Sequence, residues 1–347
     1  MDSSSVDPGH FRPAPGGLTV SSLGVGTYIG APDAATDRAV ESAIGEVLAT
    51  GTVNVLDTAI NYRYQRAERS LGRALHTAVE AGRVQRDEMF VATKAGYFAP
   101  DAESSIPADQ WVERELVAKG ILDAADIVDG SHAMSVSYLK DQFERSRRNL
   151  GLDEIDLLYL HNAADAQLPV VGAEEFERRL AKAFGLLEEL RDRGQLGAYG
   201  LATWDCFRSR RTDPGHLELT LLLRVAREVG GDEHGFRFVQ FPFNFAMREA
   251  ATLENQSVNG GRVTLLDAAR QLGIGCFTSV PLLQGQLARR GPTGDGLSAA
   301  QTAIQFARSA PGNLAPLVGQ KTPEHVEENL ELARRSPWTR EQFAELL

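Results

Sequence analysis

Asp57-Thr58-Ala59-Ile60-Asn61-Tyr62 follows a short apolar run, Val53-Asn54-Val55-Leu56, of the kind that forms a buried parallel strand. Residues 66–81 then read as a helix, with Leu71, Leu75, Ala78 and Val79 at helical spacing and Gly82 to cap it. Asp57 and Tyr62 therefore fall where a strand passes into its loop. In an α/β barrel that edge is the catalytic face. A carboxylate and a phenol on one such loop reach the same pocket. They also read as a capping Asp and a packing Tyr, and the stretch alone leaves both readings open.

Working outward, strands and helices alternate along the chain. Leu23 to Tyr28 reads as a first strand and its loop, and Thr36 as N-cap of a helix over 37–48. The third strand is Met89 to Lys94. Its continuation, Phe98 to Met134, spans 37 residues, with 108–125 expected to be helical. Loops this long tend to be lids or binding loops, so 98–134 is expected to be a lid-like insertion. A helix over 135–150 follows, starting at Ser135. The fourth strand, Ile155 to Leu160, leads into His161-Asn162, with its helix over 174–193. Strands at 198–203, 238–243, 274–279 and 314–318 alternate with helices at 217–229, 263–272, 298–307 and from Thr322-Pro323 onward, and 340–347 closes the chain. Eight strand–helix pairs predict a (β/α)8 TIM barrel, a single domain over 18–347. A doubly wound sheet is the alternative; it lacks the G-x-G-x-x-G after the first strand, where Gly24-Val25-Gly26 is followed by Gly30 one position late.

Composition bounds the partners. The 347 residues are 43% hydrophobic and 24% charged, with a net charge of −11. That balance argues against nucleic acid or an anionic membrane as the main partner, and no apolar run approaches a membrane-spanning length. Cys206 and Cys276 stand far apart, which predicts two free thiols in a reducing, cytoplasmic setting. Residues 1–17, rich in Ser, Pro and Gly, lack a signal-like apolar run and are expected to be a loose, disordered tail. Nothing sets the oligomeric state; a monomer is the expectation.

On a barrel, Asp57, Tyr62, Lys94 and His161 converge. Lys94 alone reads as a solvated strand end and His161 alone as a structural histidine; three consecutive strand ends together read as a site. An ammonium stabilises a phenolate, a carboxylate partners a buried lysine, and a neutral imidazole hydrogen-bonds a carbonyl. The set donates a proton to a carbonyl oxygen and offers no obvious nucleophile, so a nicotinamide hydride is the natural electron source.

Asp57-Thr58-Ala59, Tyr62 and Glu68-Arg69-Ser70-Leu71-Gly72-Arg73-Ala74-Leu75 resemble the signature of the aldo-keto reductases. Thr93-Lys94, Leu150 to Leu157 leading to His161, Gln240, Asn244, Gly319 and Thr322 to Asn329 extend the likeness over roughly 18–335. The resemblance implies a (β/α)8 barrel, an NAD(P)H cofactor and no metal. It implies Tyr62 as general acid in reduction and base in oxidation, Lys94 paired to Asp57 as its tuner, and His161 as the carbonyl-orienting group. For the cofactor it implies Gly26, Thr27, Thr203, Gln240, Ser279, Pro281, Leu282 and Gln284, with Gly319, Gln320, Lys321 and His325 near the adenosine ribose and Glu328 and Asn329 facing the adenine. Lys321 favours NADP(H) over NAD(H). Tyr28, Tyr97, Trp111, Asn162 and Trp204 are expected to bind a small carbonyl or sugar substrate, with Tyr97 and Trp111 equally readable as packing for the insert.

Three positions depart from the family pattern. Ala202-Thr203 stands where Ser-Asn is usual. Ser279 stands where an aromatic stacks on the nicotinamide, so a stack would come from Trp204 or Phe277. Arg63 stands where Gly is usual and reads as a surface charge or a contact to an anionic substrate. The reverse, dehydrogenase direction on a sugar hemiacetal and a nucleotide-binding auxiliary role are the alternatives. A metal-dependent barrel hydrolase would want more His, Asp and Glu at strand ends.

Overall fold

The computed structural model describes residues 6–347. The chain opens with an antiparallel hairpin of β1 (Phe11–Ala14) and β2 (Leu18–Ser21), turned by Gly16 and Gly17 at φ 79° and 74°. This corrects the expectation of a loose tail over 1–17; residues 1–5 of that tail lie outside the described residues. His10 is buried, with Nε2 2.6 Å from Thr52 O and Nδ1 3.0 Å from Ser22 Oγ. Arg12 donates to the carbonyls of Asn313, Leu314 and Arg308. Pro15, Gly16 and Gly17 form the turn, Pro13 lies within β1 opposite Thr19, and tertiary hydrogen bonds from His10 and Arg12 order the segment.

Eight strands form the barrel: β3 (Gly24–Gly26), β4 (Val55–Asp57), β5 (Phe90–Ala95), β6 (Ile155–His161), β7 (Leu196–Ala202), β8 (Phe236–Pro242), and, after a separate hairpin of β9 (Gln256–Val258) and β10 (Gly261–Val263), β11 (Gly275–Ser279) and β12 (Asn313–Gly319). They close in the order β11-β12-β3-β4-β5-β6-β7-β8, every neighbour parallel. The floor is plugged by Phe90, Phe238 and Phe277 under Val20 of β2. A second apolar layer lies between the strands and the helices.

The barrel helices are α1 (Ala34–Ala49), α2 (Arg66–Glu80), α4 (Val136–Leu150), α5 (Ala163–Asp192), α6 (Leu219–Gly230), α8 (Leu265–Leu272), α10 (Ala299–Ser309) and α11 (Pro323–Leu330); α3 (Ala108–Val112), α7 (Glu249–Thr252), α9 (Gln286–Arg290) and α12 (Arg340–Ala344) are short additions. Beyond shifts of a residue or two at element ends, two helix starts and one hairpin depart from expectation. Asp33, not Thr36, caps α1, its carboxylate accepting from Thr36 N at 2.8 Å. The helix expected from 174 starts at Ala163 and is broken at Gly172. The β9–β10 hairpin turns on Asn259-Gly260, both at positive φ, a hairpin signal the periodicity reading passes over.

Between β5 and α4 the chain does not form the expected helix over 108–125. It folds as α3, a π-helical turn at Glu113–Val117 and a 3-10 turn at Ala124–Asp126. Trp111, Leu116, Leu122, Ala133 and Tyr138 make a small core of its own.

Candidate active site

Strand register brings the polar groups to one rim. Asp57 ends β4, Lys94 lies on β5, His161 ends β6, and Gln240 faces the rim from β8. Lys94 Nζ is 2.5 Å from Asp57 Oδ1 and 2.7 Å from Thr58 O, and Gln240 Nε2 donates to Asp57 Oδ2 at 2.8 Å. Both carboxylate oxygens are thus engaged, as a buried charge requires. Lys94 Nζ also sits 4.8 Å from the centre of the Tyr62 ring.

Tyr62 is presented by a strained turn. Arg63, Tyr64 and Gln65 follow it at φ 50°, 54° and 71°, a left-handed run that non-glycine residues adopt only when surroundings impose it. Gln65 Nε2 donates to Ala99 O at 2.7 Å, and Arg63 is buried with Nη1 2.5 Å from Asp37 Oδ1 of α1 and Nη2 3.2 Å from Ser70 Oγ. Arg66 takes the other Asp37 oxygen at 2.5 Å. Arg63 is therefore neither a surface charge nor a substrate contact; it pins the turn.

Burial pushes the Tyr62 phenol above its usual pKa, because the nearby Lys94 charge only partly offsets the loss of solvent. Burial works against the Lys94 ammonium, but Asp57 and Tyr62 outweigh it and raise its pKa. Burial, then Lys94 and His132, hold His161 well below the usual histidine range, so its ring is neutral. The Tyr62 and His161 rings meet edge-on, 5.8 Å between centres.

Asp57, Tyr62 and His161 open into a cavity of about 900 Å³. Lys94 sits behind them, 1% exposed. Each of the expected cofactor residues lines the cavity: Gly26 and Thr27 after β3, Thr203 and Gln240, then Ser279, Pro281, Leu282 and Gln284 after β11, and Gly319, Gln320, Lys321, His325, Glu328 and Asn329 after β12. Asn244, matched in the family pattern, donates to Val280 O at 3.0 Å and so holds the loop after β11, where Val280, Leu283 and Gln284 have φ near 50°. Ser298 donates to the Glu328 carboxylate and Asn329 to Gln320 Oε1, making a polar wall at that end.

Of the expected substrate residues, Tyr28, Tyr97, Asn162 and Trp204 line the cavity and Trp111 does not. Trp111 is 3% exposed, packed in the β5–α4 segment with the Arg145 guanidinium 5.2 Å over its ring. Its apolar neighbours there claim the indole. Phe277 lies in the barrel floor and cannot stack at the rim. Arg289 and Ser298 line the cavity without having been singled out; the capping box of Ser298 and Gln301 marks the latter, whereas no local pattern marks Arg289. Among the described residues, no group of three or more His, Cys, Asp or Glu could hold a metal, and no helix is long and apolar enough to cross a membrane.

Comparison with known proteins follows the same lines. Pyridoxal 4-dehydrogenase of Microbacterium luteolum is 30% identical over 205 residues, 55% of each chain. D-threo-aldose 1-dehydrogenase of a Pseudomonas species is 28% identical over 202 residues, 58% of this chain and 54% of that one. The chain thus spans about half the length of the curated relatives it matches. An aldo/keto reductase from Klebsiella pneumoniae, solved with NADP and acetate, superposes with a TM-score of 0.64 at 19% identity, covering 97% of this chain and 94% of the other. An aldo-keto reductase from Bacillus halodurans in its holo form gives 0.64 at 17%, covering 97% and 95%. The profile of the Aldo/keto reductase family matches residues 22–219, and with the closed barrel and the convergent rim residues the chain belongs to the aldo/keto reductase family.

Proposed function

We propose that this chain is an NAD(P)H-dependent oxidoreductase that reduces an aldehyde or ketone with Tyr62 as proton donor. The observation that carries the reading is Tyr62 beside a neutral His161 in one cavity, with Lys94 directly behind the phenol ring. The cavity residues fit a nicotinamide dinucleotide: Arg289 and Lys321 offer cations for phosphate, and Gln320, Glu328 and Asn329 offer polar edges for adenine. Bound there, the cofactor supplies a hydride to the carbonyl carbon. Tyr62 gives its proton to the carbonyl oxygen, His161 hydrogen-bonds that oxygen, and Lys94 stabilises the phenolate left behind. Asp57 keeps Lys94 charged and, through Gln240, orders the rim.

Lys321 and Arg289 favour NADPH, and solved relatives carry NADP and NADPH. A second reading, oxidation of a sugar or other hemiacetal with Tyr62 as base, is favoured by the two relatives named as dehydrogenases. The partner is a small molecule. The buried free thiols Cys206 and Cys276 suit a reducing, cytoplasmic compartment, and a monomer remains our reading; a role as a nucleotide-binding auxiliary protein would leave Tyr62 without use. The test is fluorescence titration with NADPH and NADH, then nicotinamide absorbance with a panel of aldehydes, ketones and sugars. Tyr62→Phe should lose roughly 10²- to 10⁴-fold in kcat/KM with cofactor affinity unchanged. Full turnover of that variant would overturn the proton-donor assignment, and equal activity with NADH would overturn the NADPH preference.

A further inference from the structure

We infer that the substrate part bound beside Tyr62 carries no negative charge: the site takes an uncharged carbonyl compound with a flat or ring-shaped face and disfavours carboxylated and phosphorylated analogues. The inference rests on the oxidoreductase reading above. Ionised side chains that line the cavity are unevenly placed. Arg289, Lys321 and Glu328 belong to the segments after β11 and β12. Asp57 is neutralised by Lys94 at 2.5 Å.

Around Tyr62 and His161 the lining is uncharged. Tyr28 meets the Tyr62 ring edge-on at 5.0 Å, and Tyr97 meets the His161 ring edge-on at 5.1 Å. Asn162 Nδ2 lies 3.4 Å from Tyr97 Oη, giving this wall a neutral polar group. Trp204 completes it, 37% exposed. The cation next in sequence, Arg63, is turned away and bound to Asp37.

The wall is also fixed in place. The Asp165 carboxylate accepts from Trp204 N, Asp205 N and Cys206 N at 2.9, 2.7 and 2.9 Å. These three bonds hold the Trp204 turn against α5, and the carboxylate behind it adds negative, not positive, potential. An anionic group on this wall, where Tyr28 is 56% and Trp204 37% exposed, gives up part of its water and finds no unpaired counter-charge, since Lys94 beside Tyr62 is already bound to Asp57. A neutral ring instead covers apolar and aromatic faces and keeps its hydroxyls near Asn162 and Tyr97.

The experiment compares pairs that share a reacting carbonyl and exchange a neutral group for an anionic one: 4-(hydroxymethyl)benzaldehyde against 4-carboxybenzaldehyde, which differ by one charge, and a 5-O-methyl aldopentose against the 5-phosphate, both limited to the furanose and open-chain forms and differing by nearly two charges. Initial rates are taken with NADPH, and with NADP⁺ for the sugars. The neutral member should be favoured by about tenfold in kcat/KM. Trp204→Arg, which puts a cation on the wall, should shift the benzaldehyde ratio toward the carboxylate by about tenfold or more, whereas Trp204→Phe should keep the wild-type ratio. Equal or better turnover of the charged members would overturn the inference while leaving the oxidoreductase reading intact. No turnover of any member, with NADPH binding intact, would remove both.

Discussion

At the residue scale, the phenol of Tyr62 and the guanidinium of Arg63 are neighbours in sequence and opposites in role. Tyr62 is protonated through neutral pH because burial raises its pKa. Reduction, which needs the proton, should therefore hold a flat kcat/KM through neutrality and fall only on the alkaline side. Lys94→Met removes the charge that opposes the rise, so the alkaline limb should move to higher pH and the oxidative rate at neutral pH should drop; the pH profile of kcat/KM in both directions checks this. The same variant leaves Asp57 buried without its partner, and thermal denaturation should report a loss of roughly 3–5 kcal/mol. Arg63→Ala breaks a buried pair on Asp37, with side-chain exposures of 1% and 9%. Because Arg66 still pairs with Asp37, it should cost less, roughly 1–3 kcal/mol in urea denaturation, with the ratio of neutral to anionic substrate turnover unchanged.

At the element scale, the β5–α4 segment and the first hairpin behave as packed pieces. Trp111 anchors the former through Leu116, Leu122 and Tyr138. Trp111→Ala should destabilise by roughly 3–5 kcal/mol and increase protease cleavage within 98–134, while substrate KM in the folded protein changes little; a large rise in KM would place Trp111 at the substrate after all. The hairpin of β1 and β2 closes the barrel floor, with Val20 fully buried against the phenylalanine plug. Removing residues 1–17 would strip β2 of its partner and expose that floor. The truncated chain should melt well below the full chain, as followed by circular dichroism. Neither piece shows a long periodic pattern, because each is short and is stabilised by contacts distant in sequence.

At the scale of the whole molecule, buried histidines couple the fold to pH, His10 and His132 among them. Burial brings His10 and His132 each down to about 4, despite a backbone hydrogen bond to each. The unfolded chain binds these protons near 6.5 and the folded chain does not. Acidification from about 6.5 toward 4 therefore favours unfolding, and stability rises with pH across that window. For His132, fully buried between Gln167 Nε2 and the His161 carbonyl, the difference is on the order of 3 kcal/mol. The melting temperature should fall between pH 7 and pH 5, and His132→Gln should flatten part of that slope; an identical slope in the variant would remove His132 from the account.

The sequence by itself determined the barrel and its rim. Eight apolar strands alternating with amphipathic helices admit few architectures, and Asp57, Lys94 and His161 sit at strand ends where local pattern fixes their position. Tyr62 was legible from the same strand end, whereas the cofactor positions after β11 and β12 were legible only through the likeness to the aldo-keto reductases. Only the tertiary structure decided what Arg63, Trp111, Phe277 and residues 6–17 do. A guanidinium, an indole or a Pro-Gly stretch carries no local mark of its partner; Asp37, the core around Leu116, the barrel floor and Thr52 are brought to them only when the chain closes. The uncharged wall around Tyr62 belongs to that second class, since it depends on where Arg63 turns and on Asp165 holding Trp204 across the rim.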